Sequence, residues 1–323
     1  MYSCVLNDYL RLKMSNTSCD PESSLSWNIA DYDLARVAVI SSIIVASMSP
    51  VTVTGNLLVV LAIWRNESLR SSTYFLVGAL SLEYFVSGVL FQPSYSIKEL
   101  AMALRPSLIK TSVFYYLHLT LGGLGIYTTA LTTLTTTLMA IERCLYMTRR
   151  RWANSSRVFK LFLVILLLPI PLNVFRTLQI LTGSYCLVSQ IAIISLVTLC
   201  FVVTSLTYLQ VYRSIRHHQQ QIQASLTSTR SPRGPFINMA KYKKSVFTIL
   251  LILASFYLSY FPFIVNVFLL LLFGQSPRLI AAYKVSVVLV FALSAITPIL
   301  YCWRIRQIRE GVRQLLYKLL CKD

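Results

Sequence analysis

Seven long stretches of this chain are almost free of charge, and that pattern leaves few folds open. The hydrocarbon core of a bilayer, about 30 Å thick, is crossed by about 20 apolar helical residues. Residues 37–64, 72–97, 113–141, 158–181, 187–212, 245–273 and 279–303 all reach that length. Glu83 alone interrupts the second stretch, and Lys284 stands near the start of the seventh. The fourth is the weakest, because Lys160 and Arg176 flank a short charge-free core. Backbone polar groups in lipid must be satisfied within the segment, and an open sheet cannot do this. The expected fold is therefore all-α, a seven-transmembrane helix bundle over residues 37–303. Composition agrees: 13% of the residues are charged, against about 25% in soluble domains.

The basic residues orient the bundle. With the N-terminus outside, the inner segments carry 21 of the 30 Lys and Arg residues and the outer segments carry nine. Positive charge collects on the cytoplasmic side, so residues 1–36 are expected outside and residues 304–323 inside the plasma membrane. The first 30 residues contain no apolar core, so no cleavable signal is expected and the first span directs insertion. Asn16-Thr17-Ser18 is a glycosylation sequon on the outer side, whereas those at Asn66 and Asn154 face inward. The net charge of +19 lies in short clusters between apolar blocks, which fits lipid headgroups and argues against nucleic acid. Seven scattered cysteines form no CxxC pair, so neither a metal site nor a redox motif is expected, and no cofactor is implied.

Beyond Trp303, Ile305, Ile308, Val312, Leu315, Leu316 and Leu319 recur at helical spacing opposite a basic face. This describes an amphipathic helix on the inner leaflet. Cys321 at its end is either a palmitoylation site or a free thiol.

Ionisable residues within a membrane are costly and are functional candidates by default. Glu83 is expected to be the one carboxylate deep in a span, with Asn56 of span one as a polar neighbour. Glu142-Arg143 closes span three at the inner face. No Asp or Glu occurs between Glu142 and Glu310, so a cationic ligand finds no carboxylate in spans three to seven above Glu142 and an amine is disfavoured. Lys98, Arg105, Lys110, Arg176, Arg278 and Lys284 read as interfacial anchors of the outer rim. Seven threonines between Thr128 and Thr137 suit close helix packing. Pro50, Pro93, Pro169, Pro171, Pro262 and Pro298 each free a backbone carbonyl and permit a kink.

Several of these residues stand in an order that resembles the rhodopsin-like family of G-protein-coupled receptors. Gly55-Asn56 resembles its first-span motif, and Leu80-Ser81-Leu82-Glu83 its second-span motif with Glu for Asp. Glu142-Arg143-Cys144 resembles the acidic-Arg-Tyr triplet. Tyr208 matches the fifth-span tyrosine. The run from Phe256 through Tyr260 to Pro262 resembles Phe…Cys-Trp-x-Pro, and Thr297-Pro298-Ile299-Leu300-Tyr301 resembles Asn-Pro-x-x-Tyr. The resemblance covers residues 37 to 320. It implies a two-state bundle, biased by an extracellular ligand, that opens an inner cleft for the C-terminal helix of the Gα subunit of a heterotrimeric G protein. Coupling would fall to Glu142, Arg143, Tyr208 and Tyr301. Switching would fall to Phe256, Tyr260, Pro262, Thr297, Pro298 and Tyr301, and a central polar, sodium-like site to Asn56, Glu83 and Thr297. Candidate ligand contacts are Gly125, Thr128, Phe263, Asn266 and Lys284.

The departures matter too. The family's cysteine at the top of span three is absent and His118 lies about there, so Cys186 would need Cys4 or Cys19 as a partner. Cys200 replaces the fifth-span proline, span four has no tryptophan, and Tyr242 stands near the place of the span-six acid that clamps the family's arginine. Arg143 then has only Glu142 to hold it, which implies raised basal activity. Span seven has no lysine near its middle, so a retinal Schiff base is not expected. The competing reading is a transporter or channel using Glu83 and His118 as a cation path, but no repeated halves are visible. An enzyme would need clustered acid, base or nucleophile groups, and a lone intramembrane carboxylate supplies no such pair.

Overall fold

The computed structural model describes residues 32–69, 71–104, 112–147, 155–181, 187–227, 239–274 and 276–320, and these are helical almost throughout. Span one is α1 (Tyr32–Arg65). Span two is α2 (Ser72–Val86), which runs through a π turn (Ser87–Phe91) into α3 (Gln92–Leu104). Span three is α4 (Ser112–Met147). Span four comprises α5 (Ser155–Leu167) and α6 (Pro169–Leu181). Spans five, six and seven are α7 (Leu187–Thr227), α8 (Met239–Phe273) and α9 (Pro277–Arg304), and α10 (Arg306–Leu320) follows. Seven of these helical segments are long and apolar enough to cross a membrane.

Prolines shape the spans unequally. Pro50, Pro262 and Pro298 sit inside continuous helices. Pro169, two residues before Pro171, instead divides span four at Leu168. There the Tyr127 hydroxyl donates to the Leu166 carbonyl at 2.7 Å, which supplies a donor where the helix ladder is interrupted. Span four is thus one span built of two short helices rather than a continuous helix.

The π turn in span two has the larger consequence. The Gln92 N–H donates to the Ser87 carbonyl, five residues back, so the turn holds one extra residue. Span one receives it closely: a Cβ on Gly88 would lie 2.9 Å from Val53 Cγ2, and Ser49 Oγ donates to the Gly88 carbonyl at 2.8 Å. On an unbroken helix, Glu83 and Glu99 would point about 160° apart. The extra residue takes back about 100° and turns Glu99 toward the bundle interior.

Spans one and seven approach most tightly at Gly55, where a Cβ would lie 2.7 Å from Pro298 Cγ. Inner-side packing joins Val59, Ala62, Val77, Tyr301, Ile308 and Val312 in one buried cluster. The apolar face of α10 therefore packs largely on span one rather than on lipid: Ile308, Val312 and Leu315 are buried, while Leu316 and Tyr317 remain exposed.

Candidate functional site

Three buried regions follow one another across the bundle. The outer one was not foreseen from sequence. Span two continues helically past residue 97 to Leu104, and this carries Glu99 inside, where its Oε2 lies 2.6 Å from Lys284 Nζ. The two side chains are 1% and 0% exposed. Glu83 is therefore not the only carboxylate deep in a span, and Lys284 is no rim anchor. Spans three to seven offer no such acid above Glu142, and this one enters from span two. Pro93 and Gly88 within one apolar stretch were the available signal, since a proline inside a span requires local readjustment of the helix.

The middle region surrounds Pro298. Having no N–H, this proline leaves the Ser294 carbonyl without its helix donor. Asn56 Nδ2 takes that place at 2.9 Å and also donates to the Thr52 carbonyl at 2.8 Å. Gln92 Nε2 donates to Ser294 Oγ at 3.0 Å and to Thr52 Oγ1 at 3.2 Å, linking spans one, two and seven. Glu83 accepts from Thr135 Oγ1 of span three at 2.8 Å, with Thr132 also beside it. The hydroxyl of Thr297 donates to the Leu293 carbonyl at 2.6 Å. Asn56, Glu83 and Thr297 thus bond to separate partners rather than to one another. Asn56 Oδ1, Ser81 Oγ, Glu83 Oε2 and Gln92 Oε1 are buried with no hydrogen-bond partner among the described residues. One carboxylate oxygen together with neutral oxygens is a donor set that suits a hard cation or ordered water.

On the inner side of span six's proline, the switch residues form an aromatic stack. Phe256 and Tyr260 lie 4.6 Å apart between ring centroids and share a buried cluster with Leu293. Phe201 of span five lies 4.0 Å from the Tyr257 ring, and the Tyr257 hydroxyl is hydrogen-bonded to Ser205. Tyr260 is buried.

The inner region collects the coupling candidates. Arg143 Nε lies 3.8 Å from Glu142 Oε2, and Glu142 Oε1 accepts from Thr73 Oγ1 at 2.9 Å. Tyr208 packs on Ala140, and Tyr301 is buried in the inner-side cluster with Val59, Ala62 and Val77. The Tyr301 hydroxyl is buried with no hydrogen-bond partner among the described residues.

The other candidate ligand contacts are held by their own helices or by aromatic neighbours. Thr128 Oγ1 donates to the Gly125 carbonyl at 2.9 Å, and Asn266 Nδ2 to the Pro262 carbonyl at 2.9 Å. Phe263 lies 5.8 Å from the Tyr283 ring. Asn16, Cys4, Cys19, Cys186 and Cys321 lie outside the described residues, as do the side chains of His118 and Tyr242. Among the described residues, no group of three His, Cys, Asp or Glu side chains is placed to hold a metal ion.

Seven apolar helices, an interhelical polar core and a further helix after span seven describe a multi-pass membrane protein. The model of the 7 transmembrane receptor (rhodopsin family) matches residues 55–301, and the chain belongs to that family. In fold it is similar to squid rhodopsin, with a TM-score of 0.67 at 16% identity, covering 88% of this chain and 87% of that one. No curated protein sequence matches it. The family is one of receptors, not of enzymes.

Proposed function

We propose that this receptor passes an extracellular signal to a heterotrimeric G protein. An outside ligand shifts the bundle between two states, and the Gα C-terminal helix enters an inner cleft lined by Arg143, Tyr208 and Tyr301. The observation that carries this reading is the placing of Arg143 beside Glu142 at the end of span three, with Tyr208 of span five packed on Ala140 of the same helix and Tyr301 of span seven buried in the inner-side cluster. At 3.8 Å the Arg143–Glu142 contact is loose, and Arg143 is 27% exposed, so little holds the guanidinium away from an incoming partner. Raised basal coupling follows from this.

The same reading puts the N-terminal segment outside, with Asn16 glycosylated and Cys186 paired with Cys4 or Cys19, and gives Cys321 a palmitate on the inner side. The oxygens around Asn56 and Glu83 would hold a sodium ion in the central region, with Thr297 close by on span seven. The ligand is not a simple amine, because the carboxylate that could receive one, Glu99, already holds Lys284.

Basal GTP exchange measured against a panel of Gα subunits in cells tests the reading without a ligand. Exchange above mock-transfected cells with at least one Gα is expected, and Arg143→Ala at equal surface level should remove it. Solute flux without exchange on any Gα would replace the receptor reading with a transporter.

A further inference from the structure

The outer ion pair is absorbed by none of the coupling, switch or cation roles above. Taking two charges out of water costs several kcal/mol per ion, and their attraction only partly offsets this. Glu99–Lys284 is therefore a poor source of stability compared with apolar side chains of the same size. It is well placed, however, to fix how two helices sit against each other. Gln92 and Glu99 are seven residues apart and so lie on one face of α3, about 10 Å apart along its axis. The π turn sets both residues toward span seven, Glu99 on Lys284 and Gln92 on Ser294. Asn56 adds a third tie to span seven at the Ser294 carbonyl. Tyr301 lies two helical turns further in.

We propose that Glu99 and Lys284 form a latch between the outer ends of spans two and seven. It sets the height and rotation of span seven in the conformation where Glu142 holds Arg143. Breaking the pair frees the outer half of span seven, and the ties at Ser294 carry the displacement to Pro298 and Tyr301. An interaction present in one conformation and lost in another biases the equilibrium by its differential free energy, so the intact latch restrains the receptor. The latch itself is independent of the Gα assignment; only its effect on signalling rests on that reading.

The test uses the full chain in lipid nanodiscs, with spin labels on unnatural side chains at the exposed positions Leu104 and Arg278 so that native cysteines stay untouched. Glu99→Gln and Lys284→Met should each lengthen or broaden the label distance by about 1–2 Å or more. They should also raise basal GTP exchange at least about fivefold at matched surface level. The reversed pair, Glu99→Lys with Lys284→Glu, should restore both readings. If a single variant fails to reach the surface, the double neutral variant Glu99→Gln/Lys284→Met leaves no lone buried charge and should show the released distance. A distance distribution unchanged in the neutral variants, or a reversed pair that behaves like the single variants, overturns the latch. Changed distances with no exchange in any form, wild type included, would uphold the latch and count against the Gα reading.

Discussion

Spans one, two, three and seven and spans four, five and six are held together by different physics. In the first set, the share of each span buried within the bundle runs from 28% in span one to 50% in span three; in the second it is only 11–22%. The first set is tied by directional contacts between helices: Asn56 to the Ser294 carbonyl, Gln92 to Thr52 and Ser294, Thr135 to Glu83, and Lys284 to Glu99. The second combines ring contacts among Phe201, Phe256, Tyr257 and Tyr260 with a few scattered polar links: Thr137–Thr204, Tyr127 to the Leu166 carbonyl, Cys144–Gln210 and Tyr257–Ser205. A hydrogen bond tolerates little change of distance and angle. Stacked and tilted rings remain in contact over ring separations of about 4.5–7 Å. The first set is accordingly a frame with one register, and the second an arm that can slide without losing its contacts. A two-state bundle needs both.

Substitutions in the frame should cost most. Gly55→Val forces a branched side chain into Pro298, and overpacking of this kind costs about 1–3 kcal/mol or more. Surface expression should fall sharply and the unfolding temperature of purified protein should drop; near-wild-type values for both would refute the tight span one–span seven contact. Asn56→Leu strips the Ser294 carbonyl of its donor, and buried groups left unpaired cost about 1–3 kcal/mol. Thermal unfolding should therefore shift down by several degrees, with the loss partly hidden if span seven relaxes. In the arm, Tyr257→Phe removes the bond to Ser205 and keeps the ring. Interhelical bonds within membranes average about 0.6 kcal/mol, so stability should barely change while basal exchange shifts. A stability loss as large as that of Asn56→Leu would erase the distinction between frame and arm. Smallest of all, Arg306→Ala breaks an exposed pair with Glu310 on α10, and no change in unfolding should be measurable.

What was legible in the sequence follows the same division. Hydropathy alone yields the seven spans, because lipid demands long apolar helices whatever their packing. Gly55-Asn56 and Pro298 were legible only as separate motifs; the structure brings them together, with Gly55 against Pro298 and Asn56 serving the proline-freed Ser294 carbonyl. Glu99 escaped because the charge-free stretch ends at residue 97 while the helix runs on to Leu104, and the π turn that faces Glu99 inward leaves no mark on composition. The division of span four was half visible in Pro169 and Pro171. The inward packing of α10 was not visible, since periodicity reports an apolar face but not whether lipid or protein covers it.

Ile305 is extended, with φ −102° and ψ 100°, and separates two helices whose inner surfaces both lean on span one. A Cβ on Gly311 would stand 3.3 Å from Ala62 Cβ, so α10 is pinned to the same post as Pro298. Between span seven and α10 stands one extended residue, so a turn of span seven at that point would leave α10 where span one holds it. Under the proposed G-protein reading, a partner would meet Tyr301 as a moving part set against a fixed ledge.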